Sequence, residues 1–204
     1  MADAIVAAVK SSGVPHVVLL SATAAALSDG NGPAQDLHYL EQALGYSNCL
    51  RTVIRAAYFQ ENVLAALPIA RHDKIYPNFL PSAAARLPTV ATRDVGMLAA
   101  RCLLEPPTQS EVVDLLGPVY SMNELSSKLG AALGERLQVV DIPAAAHVEV
   151  LTKAGMSPSF AEALAELYAC FASGRVVPRG DRVLSGTTTL DDILPELVRC
   201  AGGA

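Results

Sequence analysis

Apolar positions change their spacing along the chain, and these changes predict alternating helices and buried strands. Residues 3–12 place apolar side chains at helical intervals and end at Gly13, a typical helix stop. Residues 14–21 follow as a short β-branched run without polar alternation, the pattern of a strand buried on both faces of a parallel sheet. A helix over 35–44 and a similar strand over 50–55 complete a strand–helix–strand unit, whose crossover should be right-handed.

The alternation continues to the end of the chain. A short helix is predicted over 61–67, and an irregular excursion follows over 76–81, where α/β folds commonly place ligand contacts. The later elements are a helix over 95–104, a strand over 111–116, a helix over 121–133 opened by a capping box, a strand over 136–141, two helices between 143 and 173 with a break at 155–158, and a last helix over 187–198. The pattern predicts an α/β protein with a mostly parallel sheet flanked by helices and a small helical lobe from about 143 to 185.

Composition and charge narrow the class of protein. The 204 residues carry a net charge of −5 with no run of like charges, so we expect neither nucleic acid nor a membrane as a partner. The longest apolar stretches are far shorter than the ~18 residues that span a bilayer, and the first residues carry an acid where a signal peptide needs positive charge. We therefore expect a cytoplasmic protein. The four cysteines and four histidines lack metal-ligand spacing, so no metal site is predicted.

Four segments, taken in order, resemble the NmrA-like branch of the atypical short-chain dehydrogenases. Residues 7–21 are similar to that family's alanine-rich helix, Gly-Val and apolar strand ending in Ser. The block Thr52-Val-Ile-Arg-Ala-Ala-Tyr-Phe-Gln-Glu-Asn62 is similar to its Thr-Ile-Leu-Arg-Pro, aromatic, Glu-Asn block. Residues 88–95 and 112–125 resemble the segment that returns to the sheet and the last strand with its helix.

This resemblance implies a fold and a division of the chain. The fold would be a truncated Rossmann-like sheet with a helical C-terminal lobe. Residues 1–142 would form the C-terminal part of an NAD(P)-binding domain, and residues 143–204 a helical substrate-side lobe and C-terminal helix. We expect the chain to begin near the helix before the family's fifth strand, so that the first four strands are absent.

Two departures from the family bear on the cofactor, which the resemblance implies to be NADP or NAD. The Gly-x-x-Gly-x-x-Gly turn that brings a pyrophosphate to a helix N-terminus is not in the sequence, so we expect the chain alone to bind a dinucleotide weakly or not at all. The tyrosine and lysine spaced four apart are also absent, and their nearest counterpart is Leu-His-Tyr-Leu-Glu at 37–41.

By resemblance, the site lies at the carboxyl ends of the strands over 14–21 and 50–55. The candidate catalytic group is His38, near the nicotinamide, with an ordinary helix histidine as the alternative. The candidate cofactor contacts directly follow the two strands: Ser21, Ala56, Ala57 and Tyr58. The candidate substrate contacts are large side chains of the next loop and of the helical lobe: Phe59, Met156, Phe160 and Tyr168. Capping of the sheet for Ser21 and core packing for the large side chains remain alternatives.

Two functions stay open at this point. One is an NmrA-like, NAD(P)-linked oxidoreductase acting on a quinone or small carbonyl substrate, active if the missing half is supplied. The other is a non-catalytic ligand-binding, redox-sensor or assembly subunit that lost dinucleotide binding. In the family's sheet order residues 17–20 lie beside a strand that this chain lacks, so they should form an exposed edge. We therefore expect a homo-oligomer or a partner chain at 17–20, besides a small-molecule ligand.

Overall fold

Helices and strands alternate along almost the whole chain in the computed structural model, which describes residues 2–201. In chain order they are α1 (Ala2–Ser12), β1 (His16–Ala22), α2 (Ala34–Gly45), β2 (Leu50–Ala56), β3 (Tyr58–Phe59), α3 (Leu67–Asp73), β4 (Ile75–Asn78), β5 (Arg86–Val90), α4 (Thr92–Leu104), β6 (Glu111–Leu116), β7 (Val119–Ser121), α5 (Met122–Leu133), β8 (Gln138–Asp141), α6 (His147–Lys153), α7 (Pro158–Ala172), β9 (Arg182–Ser185) and α8 (Leu190–Cys200). Shorter 3-10 helices cover Thr23–Ala26, Gln60–Ala66 and Ala144–Ala146.

A parallel sheet in the order β1-β2-β6-β9 forms the centre of the molecule. Leu19 of β1 lies opposite Val53 of β2, which in turn lies opposite Val112 of β6. Two smaller sheets, β3-β5-β7 and β4-β8, extend the structure beyond the ends of the main strands. The predicted α/β class is confirmed, and so is the parallel pairing of the first two strands across a helix.

Helices cover the two faces of the main sheet. Leu19 points toward α1 and α2, where Val6, Leu40 and Leu44 form a buried cluster. The opposite face carries Ile54 and packs against α4. Because successive strand residues point to opposite faces, the even-numbered residues of β1 share the α4 side.

A second core joins the C-terminal part of the chain to the middle. Buried Leu125 and Leu129 of α5 pack with Leu190 and Leu194 of α8 and with Leu67 of α3. The capping box predicted for the fifth helix is present, since Ser121 accepts from the Glu124 N–H at 3.2 Å and the Glu124 carboxylate accepts from the Ser121 N–H at 2.7 Å. The last helix therefore contributes to this core.

Short elements differ from the sequence predictions. The excursion predicted as irregular contains β4, which pairs with β8, so the strand predicted over 136–141 does not join the main sheet. The segment predicted as a lobe from 143 to 185 includes β9, which pairs with β6. The helix predicted over 61–67 is a 3-10 helix that runs into α3. Four residues carry too little periodicity to identify a strand, and partner strands distant in sequence decide where such segments lie. The division near residue 142 stays a prediction.

Candidate functional site

An apolar cavity of about 360 Å³ opens at the carboxyl ends of three parallel strands. Thr23 follows β1, Ala57 and Tyr58 follow β2, and Leu116 ends β6, and all four line this strand-end cavity. Ligands of open α/β sheets bind outside this edge because the parallel strands all end there. The position and the apolar lining both identify the cavity as the candidate site.

The opposite wall comes from loops and from α7. Leu80 and Pro81 follow β4, while Phe171 projects from the last turn of α7. The rings of Tyr58 and Phe171 meet edge to face, with centroids 6.5 Å apart at 79°. A few of the lining residues are polar, among them Arg86. These two rings form one aromatic wall of the cavity, which suits contact with a flat ligand.

The hydroxyl of Tyr58 is a hydrogen-bonding group and not a base at neutral pH. Burial raises the pKa of Tyr58 well above its ordinary value, and neighbouring Tyr76 and Tyr168 raise it further. A hydrogen bond with Asn62 offsets part of this pKa shift. The hydroxyl therefore keeps its proton over the physiological pH range.

A strap formed by residues 173–181 closes one side of the cavity and is fixed at both ends. Near its start, the Arg175 guanidinium bonds the Asp29 carboxylate at 3.0 Å. Near its end, the buried Asp114 carboxylate accepts hydrogen bonds from the backbone N–H groups of residues 179–180 at 2.7 and 2.5 Å. Between these anchors, residues 176–178 line the cavity.

Beneath the same edge lies a buried polar cluster. The Glu41 carboxylate accepts from the Ser21 hydroxyl at 2.5 Å and from Arg55 Nε at 3.1 Å, and it pairs with Arg55 Nη2 at 2.5 Å. All three residues are buried, with Glu41 5% exposed. The cluster ties the ends of β1 and β2 to α2, so it supports the floor of the site.

The structure brings some of the predicted cofactor contacts to the cavity and not others. Ala57 and Tyr58 line it. Ala56 is buried in the core between β2 and α4, and Ser21 is buried against Glu41. His38 Nδ1 lies 2.9 Å from the Ala25 carbonyl oxygen, on the α2 side of the sheet and outside the cavity lining.

The predicted substrate contacts do not meet in one place. Phe59 lies on the α4 face, away from the strand-end cavity, so it does not converge with His38 and Tyr58 as we expected. Tyr168 stacks on Phe79, with centroids 5.0 Å apart. Phe160 is 47% exposed, and Met156 does not line the cavity. The functional roles of these side chains stay predictions.

Several lining residues were not among the predicted sites. Phe171 lies one helical turn from Tyr168, so the apolar periodicity of α7 contained a signal for it. Leu80 lies in the excursion over 76–81 where ligand contacts were expected, whereas Val176 and Val177 come from an irregular segment that carries no periodicity to mark them.

The glycine turn at residues 30–32 is crowded by its neighbours. Gly30 and Gly32 have φ of +63° and +56°, but the Arg175 guanidinium lies beside Gly30 and α7 lies beside Gly32. A Cβ added at Gly32 would lie 2.1 Å from the Ala163 carbonyl oxygen. This glycine turn therefore packs a helix and is not open to a pyrophosphate.

Two general observations concern the part of the chain that the structure describes. Every helix within residues 2–201 is too short or too polar to span a bilayer. The His, Cys, Asp and Glu side chains of these residues form no group that could hold a metal ion.

Comparisons with known proteins find reductases. No protein-family profile matches the chain. The NAD(P)H azoreductase of Xenophilus azovorans is 27% identical over 173 residues, which are 83% of this chain and 59% of the azoreductase. The chain thus spans about three fifths of this curated relative.

Solved structures share the fold at lower identity. The NADPH-dependent quinone oxidoreductase of Escherichia coli, in complex with NADPH, has a TM-score of 0.77 at 20% identity, covering 97% of this chain and 70% of its own. The Citrobacter sp. triphenylmethane reductase, in complex with NADP(H), has a TM-score of 0.75 at 19% identity, covering 96% and 70%. A nucleoside-diphosphate-sugar epimerase of Staphylococcus aureus has a TM-score of 0.73 at 20% identity, covering 95% and 69%.

Proposed function

We propose that this chain, whose NmrA-like resemblance the comparisons confirm, provides the acceptor-binding side of an NAD(P)-linked oxidoreductase. The acceptor we propose is a flat aromatic or quinone-like molecule bound in the strand-end cavity. The azoreductase, quinone oxidoreductase and triphenylmethane reductase that the chain resembles support this class of ligand.

The strand-end cavity is the observation that carries the proposal. It lies at the edge where α/β sheets bind ligands, and its walls are mainly apolar. Tyr58 and Phe171 offer ring faces or edges to a planar molecule, and the strap of residues 173–181 limits the access of water. Because residues 30–32 do not receive a pyrophosphate, we assign the described residues to the acceptor and not to the dinucleotide.

The chemistry that these residues offer is binding and orientation. The apolar walls would take the acceptor out of water, where hydrogen bonds and charges act more strongly. Tyr58 keeps its proton, so its hydroxyl can donate a hydrogen bond to an acceptor oxygen or nitrogen but cannot serve as a base.

A second function, ligand binding without turnover, is favoured by a separate observation. The glycine turn packs against α7, so within residues 2–201 it gives no place for dinucleotide phosphates. A protein that keeps the acceptor cavity and lacks dinucleotide binding would act as a ligand-binding or sensor subunit.

Menadione, a flat quinone, tests the proposal by calorimetric titration. We expect saturable binding, and we expect Phe171→Ala to weaken it by roughly tenfold, which corresponds to about 1.4 kcal/mol. Tyr46→Ala removes a ring at an 81% exposed position outside the lining and serves as the control. Circular dichroism of each variant checks that the fold is intact.

The two functions give different results for the protein purified from its native host together with whatever binds it. Oxidation of NADPH by that preparation that depends on menadione, followed at 340 nm, favours the oxidoreductase, whereas menadione binding without NADPH oxidation in the same preparation favours the binding subunit. Absence of saturable menadione binding would contradict both.

A further inference from the structure

The strap of residues 173–181 is held more firmly at its end than at its start. At its end, the buried Asp114 carboxylate accepts from the backbone N–H groups of residues 179–180. The Asp181 N–H donates to the Val112 carbonyl at 2.8 Å, and the Val112 N–H donates to the Asp181 carboxylate at 2.7 Å. These bonds fix the end of the strap to β6.

At the start of the strap, Arg175 links the chain to the turn before α2. Its guanidinium bonds the Asp29 carboxylate at 3.0 Å, and the two side chains are 46% and 76% exposed. Arg175 lowers the pKa of the Asp29 carboxyl, so this carboxylate is charged and the ion pair is intact at neutral pH. An exposed ion pair contributes little to stability and is weakened by salt. The start of the strap can therefore detach without leaving a buried charge.

The middle of the strap forms a cavity wall without backbone bonds to the rest of the molecule. Val176, Val177 and Pro178 all line the strand-end cavity. Among residues 2–201, neither Val176 nor Val177 donates or accepts a backbone hydrogen bond, and Pro178 has no N–H to donate. Val176 packs against a small apolar cluster that includes Ala25. Side-chain packing and the two ends of the strap therefore hold this wall in place.

A glycine next to α7 gives the strap a place to rotate. Gly174 has φ of +69°, which glycine adopts without strain, and a Cβ built there would meet no atom within 4 Å. Gly180 differs, because a Cβ built there would lie 2.7 Å from the Val112 carbonyl oxygen. The backbone thus has space beside the ion pair and is closely packed at the end that β6 holds.

We propose that residues 174–178 form a lid over the strand-end cavity, with the Arg175–Asp29 ion pair as its latch and the bonds to β6 as its fixed end. When the latch opens, rotation about Gly174 moves the apolar side chains of the lid away from the cavity, and a flat ligand enters or leaves on that side. This inference rests on the proposed function, since it assigns the lid to the acceptor that the cavity is proposed to bind.

A latch of this kind changes the rates of binding and not the affinity. It stabilises the closed lid whether the cavity is empty or occupied, so its loss raises the association and dissociation rate constants by the same factor. A residue that contacts the ligand, or whose loss deforms the cavity wall, changes the dissociation constant instead. The comparison of the two rate constants therefore separates a latch from a ligand contact.

Stopped-flow measurement of menadione binding to the chain of 204 residues, followed by tyrosine fluorescence, tests the lid. We expect Arg175→Gln to raise both rate constants by about two- to fivefold, as the loss of an exposed ion pair implies, and to leave the dissociation constant unchanged. Asp29→Asn should give the same factor, and the double variant no further increase, because both substitutions remove one contact. Arg101→Gln breaks the exposed Arg101–Glu105 pair outside the cavity lining and is the matched control.

Salt gives a second kinetic test. Menadione is uncharged, so added sodium chloride acts on the charges of the protein. Both rate constants of the unsubstituted chain should rise with ionic strength toward those of Arg175→Gln, because salt weakens an exposed ion pair. The rate constants of Arg175→Gln, which lacks the pair, should stay the same.

Amide hydrogen exchange tests the lid without any ligand. Asp29→Asn leaves the sequence of the strap unchanged. It should speed exchange at Gly174, whose N–H donates to the Phe171 carbonyl at 3.2 Å, and at Arg175, whose N–H donates to the hydroxyl of residue 173 at 3.3 Å. Residues 179–181 should keep their protection, because their bonds to β6 remain.

Three results would overturn the lid. Rate constants of Arg175→Gln equal to those of Arg101→Gln would show that the ion pair does not limit access. A rise of the dissociation rate constant alone would show that Arg175 holds the ligand. Loss of protection at residues 179–181 in Asp29→Asn would show that the strap opens as one segment. Failure of menadione to bind contradicts the proposed function instead, and hydrogen exchange then decides the lid by itself.

Discussion

Glu41 is a carboxylate buried beneath the site, and its bonds link three elements. It accepts from Ser21 of β1 and pairs with Arg55 of β2, while its own backbone belongs to α2. Removing one partner of such a pair leaves a buried charge without compensation, which costs far more than an exposed ion pair contributes.

We therefore expect Glu41→Gln to lower the free energy of unfolding by about 3–5 kcal/mol. Glu149→Gln is the control, because Glu149 forms an exposed pair with Lys153 one helical turn away and its loss should change stability little. Urea unfolding followed by circular dichroism measures both. Equal midpoints for the two variants would show that Arg55 and Ser21 find other partners without cost.

At the scale of elements, the position of α7 depends on a close approach to the turn at residues 30–32. Asn31 fixes this turn through hydrogen bonds from its side-chain amide to the Ala24 and Leu27 carbonyls at 3.2 and 2.9 Å. The Gly32 N–H donates to the Glu166 carboxylate of α7 at 3.2 Å. Because α7 carries Phe171 into the strand-end cavity, this turn sets one wall of the site.

Gly32→Ala should destabilise the protein by more than about 2 kcal/mol. The substitution adds the cost of a positive φ, about 1 kcal/mol, to a clash with the backbone of α7. Gly134→Ala isolates the first contribution, since Gly134 has φ +69° and nothing lies within 4 Å of its Cβ position. Urea unfolding compares the two variants, and menadione titration should show weaker binding to Gly32→Ala alone. Similar losses of stability would mean that α7 moves aside freely.

At the scale of the whole molecule, residues 2–201 form the strand-end cavity, and their glycine turn at residues 30–32 is crowded by α7 and Arg175. The reductases solved with NADPH or NADP(H) share the fold over 96–97% of this chain, while this chain covers 70% of each of theirs. Dinucleotide affinity in this fold depends strongly on pyrophosphate at a helix N-terminus.

The chain of 204 residues should therefore show no saturable binding of NADPH under conditions where menadione saturates. Calorimetric titration of one protein sample with each ligand measures this, with menadione as the control for a folded site. A dissociation constant for NADPH in the low micromolar range would contradict the expectation and would point to a phosphate site outside the turn at residues 30–32.

The local sequence pattern determined the helices and strands that have strong apolar periodicity or a specific capping residue. Residues 2–12 became α1 and ended at Gly13, whose φ of +66° suits glycine. The β-branched run became β1, the next became β2, and the capping box opened α5. In each case the preference lies within about a dozen residues, so the sequence was sufficient to predict it.

The tertiary structure alone decided which distant segments meet. Tyr58 and Phe59 are aromatic neighbours in sequence, yet Tyr58 lines the strand-end cavity and Phe59 packs on the α4 face of the sheet. Successive residues of an extended chain point to opposite sides, so the exact register of the strand determines which ring reaches the site. That register is set by pairing with β5, and β9 likewise depends on β6, so neither could be found from local pattern.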